Sequence, residues 1–146
     1  FGADVARWWF YRVSQAGESK SFREEELKEI SNGFVRVLIN SLRFWQLYSN
    51  KLKIQNSKID FHSVDKGKLT LLDKWLLSKW NSLVASVTES LDEYDATTAS
   101  REIEKFVIED LSNWWIRRSR DKFQLEKDAY QKAVNHVQKQ LDNNLH

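Results

Sequence analysis

The chain of 146 residues contains no cysteine, no proline and no methionine, and only four glycines. The absence of cysteine excludes disulfides, thiol redox chemistry and zinc sites built from cysteine. Average usage would give about seven prolines, and their absence is typical of a chain made almost wholly of helix. Because position 1 is not methionine, we expect the sequence to begin inside a longer polypeptide.

Long apolar runs are also missing. No stretch approaches the ~18 consecutive apolar residues that a membrane-spanning helix needs. No basic, apolar leader of the kind that marks a signal peptide is present. The hydrophobic fraction of 41% is enough for one core in a chain of this length. We therefore expect one globular unit in the cytoplasm, without a membrane partner.

The residue patterns of an enzyme site are absent as well. The three histidines (His62, His136, His146) are scattered and lack metal-binding spacing. The glycines are isolated, so no phosphate-binding loop is predicted, and no nucleophile elbow is found. The acidic run at 24–26 is typical of the first turn of a helix, where the helix dipole favours negative charge. The sequence thus predicts no catalytic residue, no metal ligand and no cofactor in this chain.

Apolar spacing predicts an all-α protein. Apolar side chains recur at three- and four-residue steps, which places them on one face of a helix. The pattern predicts a short helix and then four long ones, at about 4–13, 21–48, 69–94, 95–114 and from 126 onward. Short connections between long helices favour antiparallel neighbours. The expected fold is an antiparallel helical bundle of about four long helices plus a short N-terminal helix.

Local signals mark helix boundaries. Residues 21–24 and 70–73 have the spacing of capping boxes, and the next helix begins near Asp95 or Thr97, both of which are suitable N-caps. Gly33 interrupts the second helix, at a cost of about 1 kcal/mol relative to alanine, so we expect close packing or a slight bend there. The linker at 52–68 carries apolar residues and is expected to lie over the bundle.

Two basic segments stand out, 51–68 and 111–127, each with five Lys or Arg against two Asp or Glu. A positive surface attracts polyanions such as nucleic acid. Lysines in a linker are ordinary solvated side chains, however, and cations near the end of a helix are favoured by its dipole. Charge alone leaves both interpretations open.

Tryptophan is abundant, with seven in the chain and adjacent pairs at 8–9 and 114–115. Neighbours in an α-helix point about 100° apart, so both members of a pair are buried only where the helix is covered on two sides. We predict that Trp114 lies in the core. The more exposed Trp115, one turn from several arginines, could then stack on an unpaired base.

The segment 111–123 is the most informative one. Its polar side chains share one broad sector of the predicted helix, whereas Leu111, Trp114 and Phe123 can turn inward. A guanidinium group binds phosphate through two parallel hydrogen bonds, and an amide beside it can read a base edge. A helix face of this kind suits a nucleic-acid backbone. The polar members are Asn113, Arg117, Arg118 and Arg120.

Three stretches point to a known family: LLDKWLLSK at 71–79, VTESLDEYD at 87–95 and DLSNWWIRRSR at 110–120. They closely resemble the anticodon-binding helical domain of class I isoleucyl-tRNA synthetases. The third stretch favours the isoleucyl enzymes over the valyl and leucyl ones, whose equivalents diverge after the tryptophan.

The resemblance covers most of residues 1–135 in the family's order. The opening at 1–9 is similar to the segment that follows the family's Lys-Met-Ser-Lys-Ser loop. The stretch 13–22 resembles the next loop, although Ala16 stands where relatives usually have proline. The tail at 138–144 departs from the family, which continues as an apolar helix.

The resemblance implies a division of the chain and a set of RNA contacts. Residues 1–20 would be the segment that connects to a catalytic domain, and 21–146 would form the anticodon-binding bundle, truncated at its C-terminal end. Arg7 and Lys20, in the connecting segment, are weaker candidates for contact with the tRNA stem. The implied tRNA-binding residues are Asn113, Trp115, Arg117, Arg118, Arg120 and Lys122.

The implied function is to position an isoleucine-accepting tRNA for a catalytic domain that lies outside this chain. The partners would be that tRNA and the catalytic and editing domains of the parent protein. ATP and magnesium would be needed by the parent, and this chain by itself would not activate isoleucine. The alternative is a helical bundle that packs on a partner protein through its aromatic face. Salt separates the two, because phosphate binding weakens steeply with ionic strength.

Overall fold

The computed structural model describes residues 1–15, 17–19, 21–49, 67–125, 128, 131–132 and 135. Every regular element within these residues is helical, so the predicted all-α fold is confirmed. The described residues include two π-helical segments, Ser31–Val35 between α2 and α3 and Phe106–Ile116 after α5, and the helix then continues through 117–125. The α-helices are α1 (Ala3–Val13), α2 (Glu24–Ile30), α3 (Arg36–Ser49), α4 (Leu71–Asp92) and α5 (Ala96–Lys105).

Two of the three predicted helix starts are confirmed. Thr70 and Asp73 form a capping box at the start of α4, and the Asp95 side chain accepts a hydrogen bond from the Thr98 backbone N–H at 2.9 Å. The predicted capping box at 21–24 is wrong. Helix α2 begins at Glu24 with Arg23 as its N-cap and no side-chain cap, so Ser21 lies outside the first turn. The linker 52–68, apart from 67–68, and most of the helix predicted from 126 lie outside the described residues.

The region around Gly33 differs from the expectation of close packing. A Cβ atom at this position would meet nothing within 4 Å. The helix instead widens into the π-helical segment Ser31–Val35, which separates α2 from α3. Ile30 and Phe34, on either side of the glycine, are both buried. A π turn of this kind inserts an extra residue while the helix continues. The wider turn at Gly33 therefore goes with the burial of Ile30 and Phe34, and not with a close contact at the glycine itself.

The core consists of two groups of buried side chains, which share partly buried neighbours. The first group joins α1 to α2, and the second joins the π segment around Gly33 to the one after α5. Trp8 packs against both groups, and its ring stacks on Phe34 with centroids 4.7 Å apart. Helix α1 is thus part of the packed bundle, whereas the division of the chain at residue 20 stays a prediction. The groups are Val5, Trp9, Leu27 and Ile30, and Phe34, Phe106 and Val107.

Helix α4 packs along only one side. None of its side chains is fully buried, although Leu76 and Leu83 touch the second core group. Trp80 lies against Phe106 at 5.7 Å between ring centroids but remains half exposed. The helix therefore presents a long surface at the edge of the bundle, next to the helix that carries the segment 111–123.

Candidate nucleic-acid interface

The arginine-rich segment lies on the second π-helical segment and the helix that follows it. The π segment is 11 residues long, from Phe106 to Ile116. Phe106, Val107 and Ile116 are buried in it, and Ile108 and Leu111 pack against the second core group. Sequence reasoning assumed the steps of three and four residues of an α-helix. The i→i+5 hydrogen bonding of a π-helix puts more residues in each turn, which changes which side chains face inward by the end of the segment, where the tryptophan pair lies.

The placement predicted for the two tryptophans is wrong, because their positions are exchanged. Trp114 is 43% exposed. Trp115 is partly buried, and its indole Nε1 donates to Asp73 Oδ1 at 2.9 Å. Its ring also meets the edge of Phe123, with centroids 5.7 Å apart. At the end of the π-helical segment Ile116 is buried, the adjacent Trp115 is partly buried and Trp114 lies on the surface. Exposure therefore no longer supports Trp115 as the stacking residue.

The predicted phosphate-binding side chains point outward, as expected. Arg117, Arg118 and Arg120 are exposed, and none of their side chains has an ion pair or hydrogen bond to another described residue. Asn113 is also exposed on the same helix. Lys122 differs, because its Nζ lies 3.5 Å from Asp73 Oδ2. The structure thus leaves three guanidinium groups available to a ligand, while their contact with RNA stays a prediction.

Two tryptophans with cations beside them meet where α4 packs against this helix. Arg118 lies over the ring of Trp114, with its Cζ 3.6 Å from the ring centroid. Trp75 of α4 lies 6.1 Å from Trp114 between ring centroids, tilted by 51°. Lys79 Nζ in turn lies 5.8 Å above the ring of Trp75. The four side chains form a row in the order Lys79, Trp75, Trp114, Arg118.

Sequence reasoning missed Trp75 and Lys79 as members of this surface. A signal was available, since both cations follow their tryptophan by four residues, the spacing at which helical side chains meet. Pairing between the helices could not be inferred from that spacing. The structure shows that α4 and the following helix run antiparallel, which brings Trp75 opposite Trp114. Lys79 is held there by Asp110, with Nζ and Oδ2 3.7 Å apart.

Asp73 connects the start of α4 to the arginine-bearing helix. One carboxylate oxygen accepts from Trp115, and the other accepts from the backbone N–H of Thr70 at 2.9 Å and from its hydroxyl at 2.7 Å. Burial opposes ionisation of this carboxyl. The hydrogen bonds from Thr70 and Trp115 and the charge of Lys122 outweigh it, and together they hold the pKa of Asp73 below its ordinary value. The same anion therefore caps one helix and anchors the next.

The two weaker candidates in the connecting segment receive less support. Arg7 is exposed on α1 and pairs with Asp4 at 3.0 Å in the same helix. Lys20 lies outside the described residues. Among the residues that the structure describes, no group of three or more His, Cys, Asp or Glu side chains is arranged to hold a metal ion. The same residues form no helix that is long and apolar enough to cross a membrane.

Comparison with known proteins identifies the family of the chain. Residues 73–146, which carry both Asp73 and the exposed arginines, match the family model of the anticodon-binding domain of tRNA ligase. The chain belongs to this family. The two helices that carry the tryptophans and their cations, α4 and the arginine-bearing helix, fall within the matched range, apart from the first two residues of α4.

Curated relatives extend the similarity into the first half of the chain. The isoleucine–tRNA ligase of Dehalococcoides mccartyi is 39% identical over 130 residues, which cover 88% of this chain. That of Clostridium novyi is 40% identical over 127 residues, or 84% of the chain, and that of Thermus thermophilus is 33% identical over 131 residues, or 88%. The chain spans only 11–12% of the length of these relatives.

Proposed function

We propose that this anticodon-binding domain is the tRNA-docking module of an isoleucine–tRNA ligase. Its arginine-bearing helix would bind the anticodon stem-loop of an isoleucine-accepting tRNA, so that the acceptor end reaches a catalytic domain elsewhere in the parent protein. The observation that carries the proposal is the set of three exposed guanidinium groups with no ion pair or side-chain hydrogen bond to a described residue, on a helix within the family match. Relatives named as isoleucine–tRNA ligases support the choice of amino acid.

The charged groups divide into two roles on physical grounds. Arg117 and Arg120 suit the phosphate backbone, because a guanidinium fork matches the geometry of two phosphate oxygens. Asn113, exposed on the same helix, carries an amide that can both donate to and accept from a base edge. Lys122 is shared with Asp73 and would contribute less.

The proposal assigns the chemistry to other parts of the parent protein. ATP and magnesium would be bound there, together with the isoleucine and any editing site, and the partners of this chain would be the tRNA and those domains. The compartment that goes with a tRNA partner is the cytoplasm. This chain then contributes binding and orientation only.

The test is RNA binding as a function of salt. The chain is titrated with a hairpin RNA that has the anticodon stem and loop of an isoleucine-accepting tRNA, over a series of salt concentrations. Each phosphate released from its counterions in a single-stranded region contributes about 0.7 to the log–log slope. The double variant R117A/R120A should bind about 1–3 kcal/mol more weakly per lost arginine contact and show a shallower slope.

Arg36 provides the control, since it is exposed on α3, outside the family match. R36A changes the net charge by the same amount per site, and its RNA affinity should stay close to that of the parent chain. A parent affinity that does not respond to salt would contradict phosphate binding and favour a protein partner. Unchanged binding by R117A/R120A at physiological salt would show that this helix face is not the RNA site.

A further inference from the structure

We propose that Trp114 and Arg118 form a stacking platform for one unpaired base of the RNA loop. The base would lie on the outer face of the Arg118 guanidinium group, whose inner face rests on the Trp114 ring. This inference rests on the proposed function, because it names the part of the RNA that the helix receives and the two side chains that receive it. It replaces Trp115 as the stacking residue expected from the sequence.

The geometry of the pair carries the inference. The Cζ atom of Arg118 lies 3.6 Å from the centroid of the Trp114 ring, a distance of van der Waals contact. Arginine stacks on aromatic rings and also offers its own planar face to a nucleic-acid base. A base placed on Arg118 would therefore extend a stack that already exists. Trp114 is 43% exposed and Arg118 is exposed as well, so the pair is open to a ligand of this size.

The platform is supported from below before any ligand arrives. Trp75 contacts Trp114 from α4, and Lys79 lies over Trp75 while it pairs with Asp110. A long, exposed arginine normally loses rotamer freedom when it binds a ligand. Because Arg118 already rests on a ring that is itself packed, less of that freedom remains to be lost. A preorganised group of this kind binds more tightly for the same contacts.

Charge pairing distinguishes Arg118 from the two neighbouring lysines, and its ring contact distinguishes it from Arg117 and Arg120. Lys79 and Lys122 each have a carboxylate partner, and so does Arg12 at the other side of the bundle. Arg118 contacts only a ring and has no ion pair or hydrogen bond with another described residue. Its N–H groups are thus available to a phosphate or a base edge while its plane supports the base. A ligand that offers both a flat ring and an anion is a nucleotide that is not base-paired.

The experiment compares two RNA probes. The first is the anticodon hairpin, and the second is the same hairpin with abasic loop nucleotides, which keep every phosphate but have no base to stack. R118K keeps the charge and removes the planar group, and W114L removes the ring below it. Each variant should bind the intact hairpin about 10-fold more weakly, which corresponds to about 1.4 kcal/mol. Binding to the abasic hairpin should change less than about 2-fold, because its phosphate contacts are retained.

R117K is the matched control, since Arg117 is exposed on the same helix and has no ring contact within the described part of the chain. R117K should change the affinity for the intact and the abasic hairpin by the same factor. Far-UV circular dichroism and thermal unfolding of each variant report on folding. Should W114L unfold, R118K decides the question alone, because it changes only an exposed side chain.

The outcomes separate the inference from the proposed function. If R118K and W114L bind both hairpins like the parent, while R117A/R120A weakens both, the stacking platform is wrong and RNA binding by this helix stands. If R118K weakens both hairpins equally, Arg118 is a phosphate contact and the platform is also wrong. If neither set of variants changes the affinity, the proposed function itself fails.

Discussion

Asp73 shows how much one side chain can contribute in a small bundle. One of its oxygens accepts a hydrogen bond from Thr70 at the start of α4 and pairs with Lys122, and the other accepts from Trp115 on the arginine-bearing helix. The capping role was visible in the sequence, because it depends on residues three apart. The contact with Trp115 joins residues 42 positions apart in the chain and could only be seen once the helices were paired.

D73N should lower the free energy of unfolding by about 1–2 kcal/mol at neutral pH, because it removes the charged N3 side chain of the capping box and leaves the hydrogen bonds of Thr70 and Trp115 weaker. The folded-state pKa of Asp73 is depressed. Its contribution is therefore fully present above the unfolded value of about 3.9 and is lost as the pH falls through the folded value. Urea unfolding at neutral pH and below about pH 3 measures the difference, which should shrink in acid.

D121N is the control for that measurement, because Asp121 is exposed and its side chain has no hydrogen bond or ion pair with another described residue. It removes the same charge and should change stability little at either pH. An unfolding free energy of D73N equal to that of the parent at neutral pH would show that the capping box and the Trp115 contact do not stabilise the fold.

At the scale of elements, Gly33 and Gly17 separate the effect of steric space from the effect of backbone conformation. Gly33 is helical and a Cβ there would meet nothing within 4 Å, and the same open space surrounds Gly17. The two differ in backbone conformation, because Gly17 has a φ of +96° and lies in the turn between α1 and α2. Space alone would make alanine equally acceptable at both positions, so conformation decides the outcome.

We expect opposite signs for alanine at these two glycines. G33A should raise the free energy of unfolding by about 0.5–1 kcal/mol, since alanine loses less backbone entropy in a helix. G17A should lower it by about 1 kcal/mol, because a side chain is strained at positive φ. Chemical denaturation of both variants beside the parent is the measurement. A destabilised G33A would mean that the π-helical turn at Ser31–Val35 depends on glycine itself.

For the whole molecule, the decisive contacts are those that hold α1 against α5. Glu104 is 8% exposed and accepts hydrogen bonds from Trp8 Nε1 at 3.2 Å and from Arg12 Nε at 2.7 Å. Burial works against the charge of Arg12, but Glu104 and then Glu29 outweigh it and raise the pKa of the guanidinium group. Arg101 adds hydrogen bonds to the carbonyls at the end of α1. These polar contacts fix the first helix to the helix that continues into the RNA-facing segment.

E104A should lower the free energy of unfolding by about 2–3 kcal/mol, because it leaves Trp8 Nε1 without its acceptor and the partly buried Arg12 with only the exposed Glu29 as a partner. Amide hydrogen exchange should rise most in α1. Glu102 supplies the comparison, since it lies on the same helix and its buried Oε2 has no hydrogen-bond partner within the described residues. E102A should lower the free energy of unfolding by less than E104A does. Equal effects of the two variants would show that Glu104 is not the link between α1 and α5.

The helices themselves were predictable because their signals are local. Apolar spacing located α1 and α4, and capping residues marked the starts of α4 and α5. The outward direction of the three arginines was also predicted correctly, since exposed charge is costly to bury and the run offers no nearby acid to pair with all of them. The family resemblance was carried by the same stretches of sequence.

What the sequence determined by itself is therefore the helical class, most helix starts, the basic helix face and the family to which the chain belongs. The tertiary structure alone decided which tryptophan of the pair faces outward. That choice depends on the π-helical segment from Phe106 to Ile116, whose first two residues pack in one buried group with Phe34. A π-helix has no local sequence signal comparable to a capping box, because its extra residue per turn is selected by packing between distant segments. The pairing of Trp114 with Trp75, and with it the support beneath Arg118, follows from that packing.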